Sequence, residues 1–112
     1  MSVGRKQERP LIVFGRYMRI ACARKAKELG IKHYSWRRLS RDSGVLVSVI
    51  TKGVSGEDIP EPENVWKMIE ALQPYPKLEQ RICESLKYST QKEYEDALAG
   101  IDDMEKAEGI QP

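Results

Sequence analysis

Residues 35–53, SWRRLSRDSGVLVSVITKG, constrain the fold of this chain more than any other stretch. The first part is polar and basic, with Leu39 as its central apolar residue, and Ser35 is a good N-cap. A helix over 36–43 follows. Gly44 then supplies a sharp turn of the kind that needs a positive backbone angle. Residues 45–50 are apolar apart from Ser48, and they open a second helix running from about 46 to 52 or 53. The run VLVSVI is the one β-like segment in the chain, yet it lies between a helix and a glycine-rich turn. No segment alternates apolar and polar residues as a half-buried strand does, so the expected fold class is all-α.

Helical spacing continues on both sides. Residues 1–10, MSVGRKQERP, are polar and basic and read as a flexible arm closed by Pro10. A helix beginning near Leu11 or Ile12 carries Phe14, Tyr17, Met18, Ala21 and Cys22 on one face and stops at Gly30, with GIKHY as a connector. After the loop at Ser55, Gly56, Asp58, Pro60 and Pro62, a helix to about Leu72 presents Val65, Trp66, Ile69 and Leu72, with Trp66 expected in the core. QPYP breaks the chain again. A helix over 77–88 carries Leu78, Ile82, Cys83 and Leu86. A last helix over 91–107 carries Tyr94, Ala97, Leu98, Ile101 and Met104, weakened at Gly100 by about 1 kcal/mol relative to Ala.

The 112 residues suffice for one compact domain, with an arm at 1–10, a main unit at 11–75 and a helical extension at 76–112. No run approaches the ~18 apolar residues of a membrane span, and the N-terminus lacks a signal-peptide pattern, so a cytoplasmic location is expected. Cys22 and Cys83 fit no metal spacing, and His33 has no acid or nucleophile beside it. No metal, cofactor or enzymatic chemistry is therefore expected. The net charge of +2 conceals an asymmetry: residues 1–52 hold 13 Lys/Arg against 3 acids, and residues 53–112 hold 6 against 14. A basic half of that kind suits a polyanion, although long basic side chains also simply solvate helices.

Helix, glycine turn, helix is the pattern in which a first helix crosses the DNA backbone and a second lies in the major groove. Here the sequence resembles the lambda-repressor-like (Xre) helix-turn-helix regulators over residues 12–72. FGRYMR (14–19) is similar to the opening helix of that family. SWRRLSRDSGV (35–45) matches its Ser-x-x-x-Leu-Ala-x-x-x-Gly-Val core, with Ser40 in the Ala position. SVITKGVSG (48–56) matches Ser-x-Ile-Ser-x-x-x-x-Gly, and IPEPENVWKMIEAL (59–72) matches the proline-led helix ending in Ala-Leu. The resemblance implies a bundle of about five helices with an extra C-terminal helix, and a partner in double-stranded DNA.

Four positions depart from the pattern. Trp36 stands where the family often has a phosphate-contacting Gln; its indole N–H donates, or its ring packs on sugar. Leu46 and Val47 open the reading helix where polar residues are usual; they suit thymine methyl groups or a protein partner. Gly53 replaces a core aliphatic, so the helix is expected to end early or pack loosely there. The segment before Ser35 is longer by several residues.

Val45, Val49 and Ile50 are expected to face inward. The candidate DNA contacts are then Leu46, Val47, Ser48, Thr51, Lys52 and Ser55 on the reading helix, Trp36 and Arg37 at the start of the preceding one, and Arg5, Lys6 and Arg9 in the arm. Arg38 and Arg41 share the backbone-crossing helix. The acidic C-terminal stripe must pack on its own domain or on a second copy; a homodimer would set two reading helices about one DNA turn apart. A DNA-binding transcriptional regulator is the reading that results. The rival is an antitoxin-like or anti-repressor-like interaction module, with the start of the reading helix or the C-terminal helix docking a protein.

Overall fold

The computed structural model describes residues 10–86 and 100–110, and these are helical without any strand. The elements are α1 (Pro10–Leu29), α2 (Trp36–Ser43), α3 (Val47–Ser55), α4 (Pro62–Leu72), α5 (Pro76–Glu84) and α6 (Ile101–Ala107). Helix α1 begins at Pro10 itself, where a missing N–H costs nothing because the first turn has no acceptor for it. It is the central rod: Val13, Phe14, Tyr17, Met18 and Ile20 are all fully buried, and α3, α4, α5 and α6 pack around it. Gly15 lets α1 touch the main chain of α3, since a Cβ there would meet the carbonyl and Cα of Val54.

The connector after α1 is more than a spacer. Ile31 N–H donates to the Ala26 carbonyl at 2.9 Å, which closes the helix end. Tyr34 then drops into the core at 2% exposure, and its hydroxyl donates to Asp42 at 2.7 Å. Ser35 caps α2 as its spacing implied, accepting from the Arg38 N–H at 3.1 Å. Gly44 has φ 81°, and its N–H donates to the Ser40 carbonyl at 2.8 Å. Two serines hold the turn: the Ser40 hydroxyl donates to the Val45 carbonyl at 2.5 Å, and the Val45 N–H donates to the Ser43 hydroxyl at 3.2 Å. Val45 at 3% exposure then seats the connection in the core.

Three expectations change. Helix α3 neither ends early nor packs loosely at Gly53: it runs on to Ser55, with Gly53 buried beside Phe14 and Pro60, whose atoms fill the space of the missing side chain. Trp66 is not a core residue but 55% exposed. The inward face of α4 is Val65, Met68, Ile69 and Leu72, a spacing of three, four and seven from Val65, and Trp66 stands one residue (~100°) round from it. Finally, no helix runs unbroken through Gly100. That residue has φ 84°, a conformation incompatible with a continuing α-helix, and α6 starts directly after it.

Residues placed in a C-terminal extension share the same core. Leu78, Ile82 and Ile101 are at most 1% exposed, and Met104 packs against the cluster. Helix α6 is tied to α1 by ions: Arg16 donates through Nε to Glu105 at 3.1 Å and through Nη2 to Glu105 and Asp102, both at 2.7 Å. Glu108 takes Arg24 at 3.1 Å and Lys27 at 2.9 Å. Arg24 also lies over the Tyr75 ring at 4.5 Å. Thus Ile101 and Met104 are covered by their own chain and need no second copy. Tyr94, Ala97 and Leu98 lie outside the described residues.

Candidate nucleic-acid interface

Helix α3 is two-sided in the sense its sequence implied. Ile50 is 1% exposed, Val54 is buried, and Val49 packs partly against the core. On the other side, Ser48, Thr51, Lys52 and Ser55 are exposed, with Leu46 at 70% and Val47 at 39%. Leu46 is the N-cap residue of α3: its carbonyl accepts from the Val49 and Ile50 N–H groups at 3.0 and 3.1 Å, but its apolar side chain makes no capping bond to the amides of Val47 and Ser48.

Polar groups on this face differ in how free they are. Thr51 donates to the Ser48 carbonyl at 3.2 Å, and Ser55 donates to the Lys52 carbonyl at 3.2 Å and lies 3.3 Å from Glu57. Such bonds are within one turn and exchange readily for an external acceptor. The Ser48 hydroxyl and the Lys52 ammonium have no partner among the described residues. Glu57 and Asp58 follow directly in the chain and are exposed.

On α2, Arg37 is exposed and has no ion pair among the described residues. Arg38 and Arg41 are partly spoken for: each approaches Asp42 at 3.7 Å, and Arg38 sits over the Tyr34 ring at 5.6 Å. The Tyr34 hydroxyl, and after it the two arginines, hold the Asp42 carboxyl below the usual carboxylate range. Burial, reinforced by Asp42, pushes the Tyr34 phenol up. Nε of Arg38 is buried without a hydrogen bond.

Trp36 is half-buried and packed against the core, and it lines a cleft on the α1 side together with Arg19 and Lys32. The candidate set therefore falls into an α3 group (Leu46, Val47, Ser48, Thr51, Lys52, Ser55) and an α2 group (Arg37, Trp36) on two helices that pack together. Arg5, Lys6 and Arg9 lie outside the described residues. Sequence reading missed Tyr34, Ser40 and Ser43 as the groups that fix α2 and its turn. Their signal was weak: Ser40 occupies the Ala position of the family pattern, and Tyr34 is an aromatic within the connector GIKHY.

Part of the basic excess is consumed internally. Arg16, Arg24 and Lys27 pair with the C-terminal acids, and Lys25 lies 3.6 Å from Glu28. Arg19, Lys32, Arg37 and Lys52 are the cations of residues 10–52 that no acid approaches among the described residues. No cluster of three or more His, Cys, Asp or Glu suited to a metal occurs among those residues, and none of their helices is long and apolar enough to cross a membrane. Compared with protein-family models, curated proteins and solved structures, the chain matches none of them.

Proposed function

We propose that this chain is a sequence-reading DNA-binding protein of the helix-turn-helix type and acts as a transcriptional regulator. The observation that carries the reading is the asymmetry of α3: its inner side is locked into the core while residues 46–48, 51, 52 and 55 stand exposed. In this reading α3 enters the major groove, which is about the width of a helix, and α2 crosses the phosphate backbone. Arg37 and Lys52 neutralise phosphates. Ser48 and Thr51 hydrogen-bond base edges, and Leu46 and Val47 pack on thymine methyl groups. The order of residues 35–60 resembles that of the lambda-repressor-like regulators, which supports the same assignment. The activity needs neither a cofactor nor catalytic chemistry. Two copies on a palindromic site would present two α3 helices one turn apart.

The test is a mobility shift on random duplex DNA as a function of salt. The protein binds weakly and loses affinity as salt rises, because phosphate contacts release counterions. Arg37→Ala and Lys52→Ala each flatten the log-log salt slope by about one charge. An unchanged slope removes that residue from the interface. Selection from a random duplex pool then returns a motif, and its symmetry reports the number of copies bound.

One observation favours a second reading. Leu46 and Val47 place adjacent exposed apolar side chains at the start of α3, a feature of protein-docking surfaces. On that reading the fold is an interaction module, and random DNA gives no shift even at low salt.

A further inference from the structure

We infer that the cleft between α1, the connector after it and the chain end binds a small aromatic anion, a carboxylate on a planar ring body. The cleft holds about 350 Å³, within the ~300–1,000 Å³ typical of small-molecule sites. Its inner surface is mostly apolar: Ile31, Tyr34 and Trp36 on one side and Ile110 on the other. The half-buried Trp36 offers its indole to an aromatic guest, and Tyr34, 2% exposed, gives only the edge of the floor. Arg19 and Lys32 also line it, and both are exposed with no acid approaching them among the described residues.

The acid that reaches this cleft is already engaged. Glu108 gives one oxygen to Arg24 at 3.1 Å and the other to Lys27 at 2.9 Å, and its side chain is 7% exposed. It therefore fixes the wall formed by the chain end without neutralising Arg19 or Lys32. The Ile110 N–H, donating to the Glu105 carbonyl at 2.9 Å, holds Ile110 in place on the same wall. An apolar floor beside two unpaired cations selects a guest with a flat hydrophobic body and one negative end. A bare phosphate would leave the floor unused, and a neutral ring would leave the cations unpaired. Arg offers a planar fork to a carboxylate and Lys a point charge, so the charged end of the guest is drawn to the rim these two residues form. The cleft shares Trp36 with the candidate DNA contacts but does not depend on the DNA reading, and its primary test contains no DNA.

The probe is 2-naphthoate, compared with its neutral amide, 2-naphthamide. Each is titrated into the ¹⁵N-labelled full chain by NMR. Naphthoate is expected to move the Trp36 indole N–H and the amides of residues 22–26 and 31–36 saturably, and to leave the Trp66 indole still. It should bind about tenfold or more tighter than the amide, the worth of a charge-assisted contact. Arg19→Ala and Lys32→Ala should each erase most of that preference while the Trp66 signal and the melting temperature stay put. Absence of a saturable shift at Trp36 overturns the inference, as does equal affinity for acid and amide, or a preference that survives both substitutions. Salt slopes on random DNA are measured for the same two variants. A flattened slope together with no naphthoate binding would assign the two cations to DNA phosphates and end the small-molecule reading, leaving the DNA reading intact. Naphthoate binding with no DNA shift would do the reverse.

Discussion

Replacing Gly15 with Ala sets two effects of opposite sign against each other. Inside a helix, Ala is favoured over Gly by about 1 kcal/mol, so at an open position the change stabilises. Gly15 is not open. Its added Cβ would fall 2.9 Å from the Val54 carbonyl carbon and 3.1 Å from its Cα, and closer still to the carbonyl oxygen. Those atoms are main chain in the last turn of α3, so no rotamer change moves them away, and α1 and α3 must slide apart. Overpacking of that kind costs about 1–3 kcal/mol, and a main-chain obstacle places it at the upper end. Net of the helix gain, the expected loss is about 2 kcal/mol, or roughly 10 °C in melting temperature for a domain of this size. Gly53→Ala is the control. Its Cβ would meet Pro60 Cγ at 3.3 Å and Phe14 Cε2 at 3.5 Å, side-chain atoms that can yield. It should stay within about 1 kcal/mol of the parent. Thermal melts followed by circular dichroism, with urea midpoints beside them, decide the matter. A Gly15→Ala protein that melts at or above the parent temperature would show that α1 does not rest directly on the backbone of α3.

Two further outcomes follow from the ionic contacts. Glu105→Gln removes the charge that accepts two of Arg16's hydrogen bonds in a site where the side chains are 23% and 10% exposed; the loss should be about 1–2 kcal/mol in urea, with faster amide exchange over α6, whereas Asp102→Asn, 76% exposed, should cost almost nothing. Asp42 titrates below its unfolded value of about 3.9, so it contributes stability above that pH and loses it as pH falls through the lower, folded value. The urea midpoint of the parent should therefore fall more steeply than that of Asp42→Asn as the solution is acidified from about pH 4 toward pH 2, and parallel curves would exclude the Tyr34–Asp42 contact as a source of acid sensitivity.

Local signals carried most of the fold into the sequence. The cap at Ser35, the turn at Gly44 and the inward set Val45, Val49 and Ile50 were legible because each depends on residues within a few positions of itself. Trp66 was misplaced for a related reason: periodicity defines a stripe about 100° wide, and a residue one step beyond Val65 lies at its edge, where size alone suggested burial. Met68, the residue that does occupy the stripe, is less conspicuous in a sequence. Long-range contacts left almost no local trace. Nothing around Gly15 names Val54 as its neighbour, although a glycine amid Phe14 and Tyr17 signals a close approach. Nothing around Glu105 names Arg16, eighty-nine residues away.

That last contact changes what the charge pattern means. The basic first half and acidic second half read, as sequence, like a surface awaiting a polyanion. In the fold, the two halves partly satisfy one another: Arg16, Arg24 and Lys27 face Asp102, Glu105 and Glu108 across α1 and the chain end. Those cations are thereby withdrawn from any nucleic acid, because detaching them would leave Glu105 and Glu108 poorly solvated and unpaired. Among the described residues, the cations of α1, the connector, α2 and α3 that no acid approaches are Arg19, Lys32, Arg37 and Lys52. Arg19 and Lys32 line the cleft beside Trp36, while Arg37 and Lys52 stand exposed on the two helices proposed to meet DNA. The net charge of +2 is thus the wrong quantity from which to argue binding. What matters is which positive groups the acids leave behind, and Asp102, Glu105 and Glu108, by their choice of α1, leave those of α2 and α3 alone.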